Sequence, residues 1–288
     1  MKSAKSKVLH QIAGRSLIAH VINALAPLEP KAVAVVVGAH SEEVGAEVTE
    51  ATKTLTSDAN LVHQAQRNGT GHATRLALES DSIKQINQGD VIVLAGDTPL
   101  LTGETLAKLQ AHHKASGATA TILTAQLFDP HGYGRIVRDH EGHLDRIVEE
   151  RDCTPDEREI DEINSGVYIF KIDELRSALT KITSSNSQGE EYLTDVIKIM
   201  GESGKKVTAM TVADETEIFG INDRSQLALC GALMRDRINE ALMREGVSII
   251  DPMSTWIDLS VEIAPDVTIY PQSSLFGSTI IETGAQIG

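Results

Sequence analysis

The sequence predicts an α/β protein: a doubly wound, Rossmann-like sheet with helices on both faces, then a linker helix, then the truncated start of a parallel β-helix. Three observations carry this. From about residue 30 to residue 212, short β-branched runs alternate with longer helical stretches. Residues 223–246 hold one amphipathic helical pattern. Beyond them the apolar period changes to six and keeps that value up to Ile287.

Residues 32–37 read as a buried strand closed by Gly38, and 90–95 as another closed by Gly96 and Asp97. Residues 118–125, 166–170 and 207–212 follow the same pattern. Continuous apolar runs suit strands covered on both faces, as in a parallel sheet. Helical patterns fill the intervals at 17–25, 74–79, 104–116 and 192–200. Such alternation marks a sheet whose ligands bind beyond the carboxyl ends of the strands. The chain opens on lysines and then a helix, without the strand that usually begins such a domain.

In the long helix, Asp223 serves as N-cap with Gln226 at the third helical position, and Gly246 ends it. Leu227, Cys230, Met234, Ile238 and Leu242 share one face. The helix reads as a link, residues 225–245, between a domain at 1–224 and a second at 246–288. In that second segment Ile263, Ile269, Leu275, Ile281 and Ile287 stand six apart without a slip. Val267, Ser273, Thr279 and Ala285 follow the first four at an offset of four. This is a hexapeptide signature of a parallel β-helix; an antiparallel edge would favour period two. The repeats amount to about one and a half coils, fewer than a solenoid needs to support itself.

Composition narrows the partners. Hydrophobic residues are 41% and aromatics only 3%, so the core must be aliphatic. A net charge of −15 argues against nucleic acid or an anionic membrane. It leaves room for anionic small molecules, because Lys2, Lys5 and Lys7 cluster locally; such a cluster is equally a solvated terminus. No apolar stretch is long enough to span a bilayer, and no leader pattern opens the chain. Cys153 and Cys230 lie far apart without metal-ligand spacing, as free thiols in a cytoplasmic protein do.

Four loops are candidates for chemistry. Residues 64–73 contain Gly69-Thr70-Gly71 before a helix onset, a setting suited to an anion or a base edge and also to a plain turn. Asp97, after Gly96 at a strand end, suits a hard divalent cation such as Mg²⁺, and equally an N-cap or turn. His131 to Arg135 with Glu149 downstream could close on sugar hydroxyls, although Glu149 and Glu150 also read as surface acids. Asn164 and Asn222 precede a strand and a helix, where asparagine commonly caps or turns the chain. No Ser-His-Asp or Cys-His constellation stands out.

The order and spacing of Lys7-Val8-Leu9-His10, residues 64–73, Gly96-Asp97, residues 132–135, Val148-Glu149, Asn164-Ser165-Gly166, Gln188-Gly189-Glu190 and Gly220-Ile221-Asn222 form a set. That set resembles the bifunctional N-acetylglucosamine-1-phosphate uridyltransferase/glucosamine-1-phosphate acetyltransferase family over essentially the whole chain. The resemblance implies uridylyl transfer from UTP to N-acetylglucosamine 1-phosphate, giving UDP-N-acetylglucosamine and pyrophosphate. It implies that Lys7 contacts phosphates, that Gln64, Gly69 and Thr70 recognise uridine, and that Ala95, Gly96 and Asp97 line the nucleotide site, with Lys7 and Asp97 catalytic. It further implies that Asp97 and Asn222 hold Mg²⁺, and that Gly134, Glu149, Asn164 and Asn222 face the sugar. The β-helix would be left-handed, and the family assembles as a homotrimer, weakened here by the short repeat. In the family a strand and a glycine-rich phosphate loop precede the residue matching Met1; without them, little uridylyltransferase activity is expected.

Overall fold

The computed structural model describes residues 1–38 and 41–288. A two-residue hairpin, β1 (Gln11–Ile12) and β2 (Arg15–Ser16), leads into α1 (Leu17–Ala24). Then come β3 (Val33–Val37), α2 (Ser41–Ala51), β4 (Ala59–His63), α3 (Thr70–Leu78), β5 (Asp90–Val93), α4 (Gly103–Ser116) and β6 (Ala120–Gln126). Next are β7 (Arg135–Arg138), β8 (Leu144–Val148), α5 (Pro155–Arg158), β9 (Glu162–Lys171), α6 (Ile172–Leu179), α7 (Asp195–Glu202) and β10 (Val207–Thr211). The long helix α8 (Arg224–Arg244) precedes β11 (Ser248–Ile249), β12 (Trp256–Ile257), β13 (Glu262–Ile263), β14 (Thr268–Ile269), β15 (Ser274–Leu275), β16 (Ile280–Ile281) and β17 (Gln286–Ile287).

The chain divides into two compact units. One comprises residues 21–95 and 101–218; the other comprises 1–20, 96–100 and 219–288. In the first, six strands form a mixed sheet in the order β10-β6-β9-β7-β8, with β5 also paired to β9. β10 and β6 run parallel, whereas β9 is antiparallel to β5, β6 and β7. The expectation of a parallel sheet is corrected at β9. Residues 167–170 are buried on both faces, so β9 carries there the apolar run of a parallel core strand, and composition does not encode direction. β3 and β4 pair parallel as a separate two-stranded sheet. Ala120, Ile122, Tyr168, Phe170, Leu175, Leu193, Val196 and Ile197 form the main core here, with Ala34 of β3 and Val91 and Val93 of β5 against it.

Helix ends in this unit follow local chemistry. Thr102 caps α4 by accepting from the Thr105 amide, and Gly117, at φ +62°, ends it. Buried Glu217 accepts from the Thr102 amide and from the hydroxyls of Thr102 and Thr105, each at 2.9 Å.

In the other unit the hexad segment forms three short parallel ladders, β11-β14-β17, β12-β15 and β13-β16. Thr268 stands opposite Gln286 and Glu262 opposite Ile280, each three hexads further on. Ile257, Val267, Ile269, Leu275 and Ile281 share one buried cluster, with Ile263, Ala285, Ile287 and α8 residues Ile238 and Leu242 against it. Further up the same helix face, Cys230 and Met234 are buried with Ile12, Leu17, Leu100 and Ile221. Asp223 caps α8 by accepting from the Gln226 amide at 2.8 Å, and Gln226 in turn accepts from the Asn222 amide. Arg235 stacks on Trp256 at 4.9 Å and donates to the Met253 carbonyl, tying α8 to the first ladder residues.

Candidate active site

Three clusters gather the residues singled out in the sequence. The first joins the start of the chain, the segment after β5 and the turn before α8. Lys7 Nζ lies 2.5 Å from Asp97 Oδ2 and 3.0 Å from Asn222 Oδ1. Residues separated by 90 and 215 positions therefore converge on a single ammonium group. The backbone fixes them: the Ile221 amide donates to the Asp97 carbonyl at 3.1 Å, and Asn222 is held through Gln226. Gly96 packs close, since a Cβ there would come within 3.1 Å of Ile18. Ala95 directly precedes it.

Two hard oxygens converging on one point are a donor set that suits Mg²⁺, which takes one or two protein oxygens and fills the rest of its shell with phosphates and water. Among the described residues no group of three or more His, Cys, Asp and Glu side chains assembles a fuller metal cage.

The second cluster is the loop from Gln64 to Ala73. Gly69 adopts φ +104°, and a Cβ on it would lie 2.4 Å from the Glu191 carbonyl oxygen, so only glycine fits. The loop is stitched to the segment 191–193: the Glu191 amide donates to the Asn68 carbonyl at 2.7 Å, and the Gly71 amide to the Glu191 carbonyl at 2.8 Å. The Leu193 amide donates to Thr70 Oγ1 at 3.0 Å, which makes the Thr70 hydroxyl a brace. Arg75 reinforces the same seam with an ion pair to Glu191 at 2.8 Å. Gln64 donates through Nε2 to the Gly69 carbonyl at 3.2 Å and to His72 Nδ1 at 3.0 Å.

The third cluster surrounds the amino-end half of β9, where it pairs with the carboxyl-end half of β6. The Asn164 amide donates to the Gly134 carbonyl at 2.8 Å, and Asn164 Nδ2 to the Tyr168 hydroxyl at 2.6 Å. Burial raises the Tyr168 pKa well above the ordinary phenol value, and the nearby charge of Glu149 adds to it. Burial likewise lifts the Glu149 carboxyl above the usual carboxylate range, opposed by the Thr194 hydroxyl, which donates to it at 3.1 Å. Asn164 thus bridges Gly134 and Tyr168, with the Glu149 charge close enough to act on the phenol. Behind Gly134, buried Arg135 pairs with Glu150 at 2.9 Å and donates to the Tyr133 carbonyl.

Sequence reasoning missed His72, Glu191 and Thr194 as site residues, although His72 lay within the quoted loop. Their roles depend on partners 45 to 123 positions away or on a single hydrogen bond, and no pattern marks those. Arg135 was legible only as part of a motif; its burial and its carboxylate partner were not.

A family model described as nucleotidyl transferase matches residues 2–259. The chain belongs to the nucleotidyl transferase family, a family of nucleotidyltransferase enzymes. It is 45% identical to the bifunctional protein GlmU of Thermobifida fusca (strain YX) and 46% identical to that of Streptomyces avermitilis, aligned over all of its own length. The chain spans 59% of the length of each of these relatives. In fold it is similar to a nucleoside-diphosphate-sugar pyrophosphorylase from Vibrio cholerae RC9, with a TM-score of 0.62 at 16% identity, covering 80% of this chain and 92% of that one. No helix among the described residues is long and apolar enough to cross a membrane.

Proposed function

We propose that this chain carries the sugar-nucleotide half of a GlmU-type enzyme and serves cytoplasmic cell-wall precursor synthesis. Its reaction is UTP plus N-acetylglucosamine 1-phosphate, giving UDP-N-acetylglucosamine and pyrophosphate. The observation that carries this reading is the convergence of Lys7, Asp97 and Asn222 on one point, in a chain 43 to 46% identical to GlmU proteins.

A phosphate oxygen of the sugar phosphate attacks the α-phosphorus of UTP in line, the new P–O bond forms, and the bond to the leaving pyrophosphate breaks. Such transfers depend on position and charge more than on a protein nucleophile. Lys7 exchanges its carboxylate partner for nucleotide phosphate. Asp97 and Asn222 are the residues that would hold Mg²⁺, and the ion would neutralise charge on the phosphates. Gln64, Gly69 and Thr70 take the uridine, with Ala95 and Gly96 lining the nucleotide site. Gly134, Glu149 and Asn164 take the N-acetylglucosamine moiety.

Residues 1–224 form the nucleotidyltransferase domain in this reading, 225–245 the linker helix and 246–288 the start of a left-handed β-helix. The three-hexad register of the ladders and their shared aliphatic core support the last assignment.

One observation favours a second reading, a catalytically silent chain. Among the described residues β3 pairs only with β4, and β5 only with β9, leaving each strand one open edge within the same unit. A further strand of the same unit is the partner such edges would take. Pyrophosphate release decides the matter. The expected result is little or none from the 288-residue chain and robust release from an N-terminally extended one. Equal release from both would eliminate the silent reading, and none from either would eliminate the first.

A further inference from the structure

We propose that His72 is the positioning residue for base selection: it holds the Gln64 carboxamide so that only the oxygen Oε1 is left for the base. The loop then selects a base that offers an N–H at that edge, as uracil does at N3. This rests on the reading of residues 64–73 as the base site.

The Gly69 carbonyl sets the orientation. Gln64 Nε2 lies 3.2 Å from it. A carbonyl oxygen only accepts, so the atom facing it is the amide nitrogen whatever the imidazole tautomer. The second amide hydrogen is then directed at His72 Nδ1, 3.0 Å away. That nitrogen must accept, which puts the imidazole hydrogen on Nε2. Both hydrogens of the carboxamide are therefore used within the loop. Among the described residues nothing donates to Oε1, and Gln64 is only half-buried.

The frame that holds this orientation is stiff. The Gly69 carbonyl also accepts from the Ala73 amide at 3.1 Å, in the first turn of α3. Gly69 itself is wedged against the Glu191 backbone, and Glu191 is bonded to Asn68, Gly71 and Arg75. His72 sits on that same first turn, so helix and loop together present one fixed acceptor. A side-chain amide is normally able to donate and accept at once; here the donor half is spent. An acceptor receives the N3–H of uracil, meets a methyl carbon in 3-methyluracil, and sets lone pair against lone pair at N3 of cytosine.

The test titrates UTP and 3-methyl-UTP into the purified chain, with saturation transfer from protein to ligand so that millimolar affinities are read. UTP is expected to bind about tenfold tighter, the value of one well-placed hydrogen bond. His72→Phe keeps the ring and removes the acceptor; it should bring the ratio to within about twofold, with 3-methyl-UTP binding unchanged. His72→Asn, whose Oδ1 can stand where Nδ1 stood, should restore the tenfold preference. A ratio that stays at tenfold in His72→Phe, or equal weakening of both ligands, would overturn the role of His72. Equal affinity of the unaltered chain for both ligands, or binding of neither, would instead overturn the base-site reading, and that failure appears before any substitution. The side-chain ¹⁵N signals of Gln64 in the unaltered chain supply a check independent of variants. Two well-separated, slowly exchanging hydrogens are expected, and a degenerate, fast-exchanging pair would refute the proposal.

Discussion

At Lys7, Asp97 and Asn222 the polar groups of the proposed site bond one another, whereas in the 64–73 loop they bond the scaffold. In the first cluster the Lys7 ammonium is held by one Asp97 oxygen and the Asn222 side-chain carbonyl, and a ligand must exchange with that ion pair. Asp97 is only 19% exposed, so separating it from Lys7 without a replacement cation leaves a poorly hydrated carboxylate. In the second cluster one carboxamide hydrogen goes to the Gly69 carbonyl and the other to His72, Thr70 Oγ1 accepts from the Leu193 amide and the Gly71 amide donates to Glu191, so the Gln64 oxygen is left over. A charged site can be pre-assembled by its own opposite charges, while a neutral recognition site needs neighbours that never touch the ligand.

The sharpest way to break this contrast is at Asp97. Asp97→Asn in an N-terminally extended enzyme keeps the shape and removes the charge, so turnover should fall by about a hundredfold or more with the fold intact. Steady-state rates at saturating Mg²⁺ with a circular dichroism spectrum check it, and near-normal turnover would remove Asp97 from the site. A smaller effect is expected in the loop. Gln64→Ala in the same enzyme should weaken use of UTP about tenfold and use of N-acetylglucosamine 1-phosphate by less than about twofold. Substrate-by-substrate kcat/KM values decide, and equal losses would make Gln64 structural.

The smallest effect concerns pH. His20 follows the hairpin that succeeds Lys7, is buried, and donates through Nε2 to the Ile12 carbonyl at 2.9 Å. Burial lowers its pKa from 6.5 to about 4. The unfolded chain therefore binds the proton first, and the stability His20 contributes is present above pH 6.5 and is lost as pH falls towards 4. Between pH 7 and pH 5 the loss is about 2 kcal/mol, and buried His113, also lowered by burial, adds to it with the same sign. Urea unfolding at the two pH values measures the slope. His20→Gln keeps a donor for Ile12 and should flatten it; an unchanged slope would assign the acid sensitivity elsewhere.

The hexad segment and α8 were legible almost residue by residue. Each aliphatic at period six points inward because its ladder partner lies three hexads along, so the pattern is written locally and repeated. Asp223 and Gln226 likewise act within one helical turn. The strands of the first unit were harder. β4, β7 and β8 escaped notice, since their residues alternate between exposed and half-buried positions or are interrupted by charge. The reversed direction of β9 leaves no mark on a strand covered on both faces.

By itself, then, the sequence determined the α/β character, the long helix, the repeat and the motif set that ties the chain to its family, because period and glycine placement are properties of neighbouring residues. Only the tertiary structure decided that Lys7 meets both Asp97 and Asn222, that Glu191 locks the glycine loop, and that His72 takes the second hydrogen of Gln64. Those contacts join segments distant in the chain, or depend on which lone pair faces which hydrogen. Distance and direction in space are set by the packing of the whole, and a string of residues carries neither.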